Sequence, residues 1–373
     1  MARQQQQTAR PTLQRRIVGG EEGCPGLERV RRMGGSCSGE KVGPMKVEVH
    51  GHVLLPESFG AAGLFGPDLT ETADGRFQLR IGPYTAFSAA DPRKRTDLWD
   101  PAVKVEWMNA SGIDKMLVTI SPLWYLYWAE PEIAIPFASL NNDLLGKYCA
   151  TASDRLFFAG TLPMQDIVAS LTELKRLSAM GAKAVNIGTD DFGGRDLDNE
   201  AYWPLYEQLV ANNLPIFLHP YPIPMLDGRV DNYNQSWVVG YIYQETAAFT
   251  HLTLGGVFDE FPDLQVYITH GGGFVPYQLG RIEAARTMKQ PGVRAKQPVR
   301  HYLENNFYFD IQVHDLIARK FLVEFMGADR LVVGSNVGGW DNEDGFKLLD
   351  ELNLGEAAHK KIAGTNAARL LNL

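Results

Sequence analysis

Cysteine is scarce, with three in 373 residues, too few for a disulfide framework. Cys24 and Cys37 fall in an atypical N-terminal segment, which leaves Cys149 alone in the body of the chain. That usage points to a reducing, cytoplasmic setting. No run of about 18 apolar residues occurs, so no membrane span is expected. Positive charge is in deficit: the formal net charge is -8 and the pI about 5.6, which argues against a nucleic-acid partner. No apolar core of a secretory signal stands near the start. No glycine-rich phosphate loop follows the first predicted strand, which counts against a doubly wound nucleotide-binding sheet.

What is present divides the chain in two. Residues 1–44 carry a glutamine run, Gln4 to Gln7, and the basic pairs Arg15-Arg16 and Arg31-Arg32. Glu21, Glu22 and Glu28 count against an organellar presequence. This segment reads as a disordered extension. Residues 45–373 read as one folded unit, with Met45 an alternative first residue.

Within 45–373 short apolar runs alternate with helical patterns. Strands are expected at 47–52, 115–120, 156–160, 184–187, 216–219, 264–270, 307–310 and 331–335. Continuous apolar strands are what a parallel sheet covered on both faces requires. Eight strand-helix units in a chain of this length predict a (β/α)8 TIM barrel. An insertion over about 56–100, rich in Gly, Pro and charge, follows strand one; Phe77–Ile81 reads as one arm of a small hairpin. One long helix is expected from about Val239 to Gly255, continuing to Phe261.

The first strand, Val47-Glu48-Val49-His50-Gly51-His52, ends in two histidines one residue apart. Their side chains share a side, with α-carbons roughly 6–7 Å apart. His219 ends strand five and His270 ends strand six, so four of the eight histidines fall at the C-terminal rim, where barrels place their chemistry. Such clustering of imidazoles points to a metal site. His251, His301, His314 and His359 lie in or beside helices and read as ordinary surface or packing residues, with His314 the nearest to the rim.

These residues sit among longer runs: Leu140-Asn141-Asn142-Asp143-Leu144, Gly160-Thr161-Leu162-Pro163-Met164-Gln165, Leu218-His219-Pro220, Gly255-Gly256-Val257-Phe258 and His270-Gly271-Gly272-Gly273. Together they resemble the amidohydrolase superfamily, and most closely its aminocarboxymuconate semialdehyde decarboxylase-like branch. The resemblance implies that His50, His52 and His219 ligate a divalent metal, with Zn2+ first choice. It implies that His270 is the acid/base working on metal-activated water, that the substrate is a small carboxylate, and that the protein is a homodimer. Decarboxylation of an unsaturated or aromatic acid is the expected reaction. Hydrolysis or hydration at the same site is the enzyme alternative, and a catalytically degenerate binding protein is the other.

Two departures, at Asn336 and Lys289, motivate those alternatives. Where the family's last strand supplies a catalytic aspartate, this chain has Asn336, in Gly334-Ser335-Asn336-Val337. Asparagine is neutral, so metal affinity is expected to be lower, and Asn336→Asp is expected to tighten it. Glu48 replaces the usual aspartate before the first metal histidine and is expected to support it. For the substrate carboxylate the resemblance implies an arginine from the inserted hairpin, matched by Arg80 with Arg76 as rival. It also implies a second arginine from the neighbouring subunit, where Lys289 stands. Lysine lacks the bidentate fork of arginine. Tyr221 is a further substrate-binding candidate, and Trp124 and Trp128 are either pocket or packing residues.

Overall fold

The computed structural model describes residues 44–88, 91–189, 192–221, 233, 235–339 and 341–373, with the backbone of Ile17–Val18. Eight parallel strands follow one another round the sheet in sequence order: Val47–Val53, Lys115–Ile120, Leu156–Thr161, Ala184–Ile187, Ile216–Leu218, Val266–Ile268, Phe307–Asp310 and Leu331–Val332. The last meets the first through parallel bridges Glu48↔Val333 and Gly51↔Val337, which close the predicted barrel. Val49 N donates to Val333 O (3.0 Å) and Val337 N to His50 O (2.9 Å) across that seam.

Strand periodicity explains where polarity collects. Leu117, Ala159, Ala184, Phe217, Tyr267 and Tyr308 belong to one buried apolar cluster. Two residues further along the same strands, hence on the same face, stand Thr119, Thr161, Asn186, His219, Thr269 and Asp310, all buried. The barrel interior is thus oily in one layer and polar in the next, at the strands' C-terminal ends. Intervening residues such as Val118, Val185, Ile216, Ile268 and Phe309 pack outward in the larger core shared with the helices.

Asn142, on helix Pro131–Ala150, fixes this layering. Its side chain donates to Thr161 O and accepts from Thr161 N, both 2.8 Å, and donates to Glu173 Oε1 at 2.6 Å. Two of the sequence runs noted above therefore meet in one structural clasp.

The insertion is larger than a hairpin. Asp68–Glu71, Phe77–Ile81 and Tyr84–Ser88 form an antiparallel meander, and Ile17–Val18 pairs parallel with its last strand. The rest of the segment 1–44 expected to be disordered lies outside the described residues but for Pro44, as do Cys24 and Cys37; Cys149 is a buried free thiol. The long helix expected over 239–261 is broken. A π-helical turn, Ser236–Gly240, leads into Tyr241–Leu254, and a short helix Val257–Glu260 follows. Gly256 (φ 78°) makes the break in the left-handed region, where glycine carries no Cβ penalty. Among the described residues no helix is long and apolar enough to cross a membrane.

Candidate metal centre and active site

The structure brings His50, His52 and His219 together: one ligand atom from each lies within 4.8 Å of the others, and all three side chains are buried. Their ring centroids are 4.9–5.2 Å apart, and that of His270 is 5.3 Å from His50 and 5.4 Å from His219.

Each of the three rings is oriented from behind. His50 Nδ1 faces Asp310 Oδ2 at 3.2 Å, His52 Nδ1 faces Ile120 O at 3.3 Å, and His219 Nδ1 faces Pro220 O at 2.5 Å. Carbonyls and carboxylates only accept, so each Nδ1 carries the hydrogen and each Nε2 is a bare lone pair. Nε2 of His50 and of His219 is buried with no hydrogen-bond partner. Burial, then the neighbouring imidazoles, push both rings' pKa well down, and burial brings His52 to about 4. All three are therefore neutral at pH 7, the state in which imidazole ligates. Three lone pairs backed by fixed acceptors fit a divalent cation with an open coordination position.

Asp310 is the residue sequence reasoning missed here. Its Oδ2 accepts from Tyr267 Oη at 2.7 Å as well as from His50, and its Oδ1 accepts from Gly271 N at 2.9 Å. One carboxylate therefore braces a candidate metal ligand and the turn that carries His270. The signal was an acidic residue ending an otherwise apolar strand. Glu48 works at the seam: it accepts from His50 N (2.8 Å), Ser335 N (3.0 Å) and Ser335 Oγ (2.5 Å). Burial outweighs these donors and raises its carboxyl to about 8.

His270 sits at φ 49°, followed by Gly271, Gly272 and Gly273, all at positive φ. A Cβ on Gly272 would collide with the Phe309 ring, so the run of glycines lets this turn lie against the strand next door. His270 Nδ1 donates to Glu245 Oε1 at 2.8 Å, and Thr269 Oγ1 donates to the same oxygen at 2.5 Å. Burial is the largest influence and lowers the imidazole, but the Glu245 carboxylate, joined by Asp341 and Asp310, outweighs it and raises the pKa to about 9. Glu245 comes from the middle of Tyr241–Leu254, where no local pattern marks it.

A cavity of about 410 Å³ opens over this rim, walled by Trp237, Tyr241, Phe274, His270, Gln312 and Asp341. A larger recess, about 820 Å³, lies at the opposite end of the barrel among Pro215, Leu264, Tyr308 and Arg369. That end of a barrel serves stability, so the smaller cavity is the candidate active-site cavity.

The remaining predicted residues are placed as follows. Asn336 is buried at the end of the last strand, at φ 49°. Arg80 is half exposed on the inserted meander, ion-paired with Asp68 and donating to Leu64 O at 2.9 Å. Arg76 pairs with Asp74. Lys289 is exposed just beyond helix Val275–Thr287. Tyr221 is buried against Tyr125 and Tyr127. Trp124 donates to Ser58 Oγ at 2.7 Å, and Trp128 packs on Phe65 and Tyr84. His314, unlike the other helix histidines, borders the cavity and lies 3.3 Å from Asp341.

Comparison with known proteins places the family and the fold. The family model described as amidohydrolase matches residues 47–373. The 2-amino-3-carboxymuconate-6-semialdehyde decarboxylase of Dictyostelium discoideum is 29% identical over 307 residues, covering 78% of this chain and 81% of that protein. A gamma-resorcylate decarboxylase from a Rhizobium species is 29% identical over 296 residues, covering 74% and 88%. The crystal structure of a dihydroxybenzoic acid decarboxylase from a Polaromonas species, with bound manganese and 2-nitroresorcinol, shares the fold at a TM-score of 0.70 and 24% identity, covering 88% and 97%. A closed eight-stranded barrel, a rim of histidines and a family match across nearly all of the folded chain lead to one conclusion: the protein belongs to the amidohydrolase superfamily, in its aminocarboxymuconate semialdehyde decarboxylase-like branch.

Proposed function

We propose that the protein is a metal-dependent decarboxylase of a small aromatic or unsaturated carboxylic acid. One juxtaposition carries this reading: three neutral imidazoles with inward lone pairs stand beside His270, which Glu245 keeps protonated. A divalent cation held by His50, His52 and His219 supplies Lewis acidity and a position open to substrate. The three-imidazole set suits zinc, and manganese, held by the Polaromonas relative, is the ion to compare with it.

His270 is the proton carrier. Its Nδ1 is committed to Glu245, which leaves Nε2 for exchange with substrate. Protonation of the carbon that bears the carboxylate makes the new C–H bond. The C–C bond then breaks, its electron pair returns to the carbon skeleton, and carbon dioxide leaves. Tyr241, Phe274 and Trp237 give the cavity apolar walls that suit a flat skeleton. Arg80, Lys289 and Tyr221 do not line it among the described residues, so His270, beside the three imidazoles that would hold a cation, is the charged group this chain offers to the substrate carboxylate.

The reading extends to a homodimer. Phe274, Tyr277 and Phe321 wall the cavity yet expose 42%, 81% and 42% of their surface, and Ile317 beside them exposes 79%. Such an apolar rim fits burial against a second copy, which would also give Lys289 a partner to reach. A cytoplasmic setting is consistent with the unbridged Cys149.

The test is carbon dioxide release from 2,6-dihydroxybenzoate and 2-amino-3-carboxymuconate-6-semialdehyde by the zinc- or manganese-loaded protein, with His270→Ala as control. Release abolished in the variant is expected. Hydrolysis or hydration without carbon dioxide would overturn the decarboxylase assignment.

A further inference from the structure

The chain runs on from the last strand, Leu331–Val332, to Asn336 and then doubles back. Gly338 (φ 87°) and Gly339 make the return possible: a Cβ on Gly339 would collide with the Asn336 amide. Glu343 N donates to Ser335 O at 3.2 Å and closes the loop. The loop carries Asp341 back to the rim. Its backbone carbonyl accepts from Gln312 Nε2 at 3.2 Å, and its Oδ2 lies 3.3 Å from His314 Nε2. Its Oδ1 accepts a short hydrogen bond from Asn336 Nδ2.

That last contact fixes the amide. A carboxylate cannot donate, so the amide must turn its NH2 toward Asp341 and its oxygen away. Asn336 is only 3% exposed, and its Oδ1 is buried without a hydrogen-bond partner. It shares that condition with the Nε2 atoms of His50 and His219. A buried acceptor left bare is costly, and this one stands at the same strand rim as the two bare imidazole lone pairs, which points to an electrophile shared with them.

We propose that Asn336 and Asp341 together replace the single aspartate of the family: Asn336 Oδ1 faces the cation, and Asp341 supplies the negative charge through the amide. A carboxylate accepting from an amide NH2 draws density onto the amide oxygen, as acceptors behind ligating imidazoles do. Asp341 does not join the three histidines in the cluster of ligand atoms within 4.8 Å of one another among the described residues, and the role assigned to it is that of a positioning residue. The inference rests on the metal centre described above and not on the identity of the substrate. It also reverses one expectation from the sequence. Asn336→Asp would set two carboxylates against each other where an N–H···O bond now lies, and close like charges oppose ionisation of both.

The experiment measures Mn2+ and Zn2+ dissociation constants of the full-length protein by competition with a chelating dye, without substrate. Asp341→Asn is expected to weaken binding about 10–100-fold. Asn336→Asp alone is expected not to tighten it. The exchange variant Asn336→Asp/Asp341→Asn is expected to bind more tightly than either single variant. Circular dichroism and melting temperature confirm folding, and the exchange variant tests the pair even if one single variant misfolds. Wild-type affinity in Asp341→Asn, or tightening by Asn336→Asp alone, would overturn the pairing. Because no turnover is read, a negative carbon dioxide assay would leave this result standing.

Discussion

Asp310 Oδ2 lies 3.2 Å from Nδ1 of His50, a residue 260 positions earlier in the chain. Both side chains are fully buried. The contact fixes the tautomer of a proposed metal ligand, and Asp310, through Gly271 N, holds the turn that presents His270. Asp310→Ala is therefore expected to weaken metal binding about 10–100-fold. Equilibrium dialysis with metal analysis reads this directly, and unchanged metal content in the folded variant would refute the role of Asp310.

Removal of the metal should be visible as lost stability. A ligand bound only by the folded state stabilises it by about 2.7 kcal/mol at a hundred times its dissociation constant. Treatment with a chelator is expected to lower the melting temperature, and added Zn2+ or Mn2+ to restore it. His219→Ala should abolish the difference. A melting curve indifferent to chelator in the wild type would count against a metal centre.

The charge of Glu245 keeps His270 protonated up to a pKa of about 9. Glu245→Gln removes that charge, so the imidazole should lose its proton at lower pH. A bound cation acts in the same downward direction and adds to the effect. The alkaline limb of the kcat/KM profile is expected to move to lower pH, with the acidic limb less affected. An unshifted alkaline limb would separate His270 from the proton transfer.

Glu173 joins Ser139 and Asn142 on one helix to Arg176 on its own. Burial pushes its carboxyl up, but Arg176, Asn142 and Ser139 outweigh it and bring the pKa below the ordinary 4.5. A depressed carboxyl stabilises the fold above its unfolded value and stops doing so as pH falls through the folded one. Glu173→Gln should therefore cost about 1–3 kcal/mol at pH 7 and much less in acid. Urea midpoints at pH 7 and below pH 4.5 measure this; an equal loss at both would remove the charge from the explanation.

The barrel was legible because short apolar strands and amphipathic helices alternate eight times, and that pattern is a property of neighbours in sequence. His50 and His52 could be paired for the same reason, since two residues apart on a strand means one face. His219 and His270 were placed only by the rule that barrel chemistry sits at strand ends.

Glu245, Asp310 and Asp341 belong to the other class. Glu245 lies mid-helix, and Asp341 lies in a loop whose path depends on Gly338 and Gly339. Asn336 looked like a lost charge because the linear chain says nothing about what its amide faces. Sequence by itself determined the architecture, which follows from local periodicity, and put His50, His52 and His219 at the ends of its strands. Only the tertiary structure decided which groups back them, Asp310 for His50 and backbone carbonyls for His52 and His219, because a hydrogen-bond partner is chosen by distance in space, and His50 meets Asp310 across 260 residues only when the barrel closes.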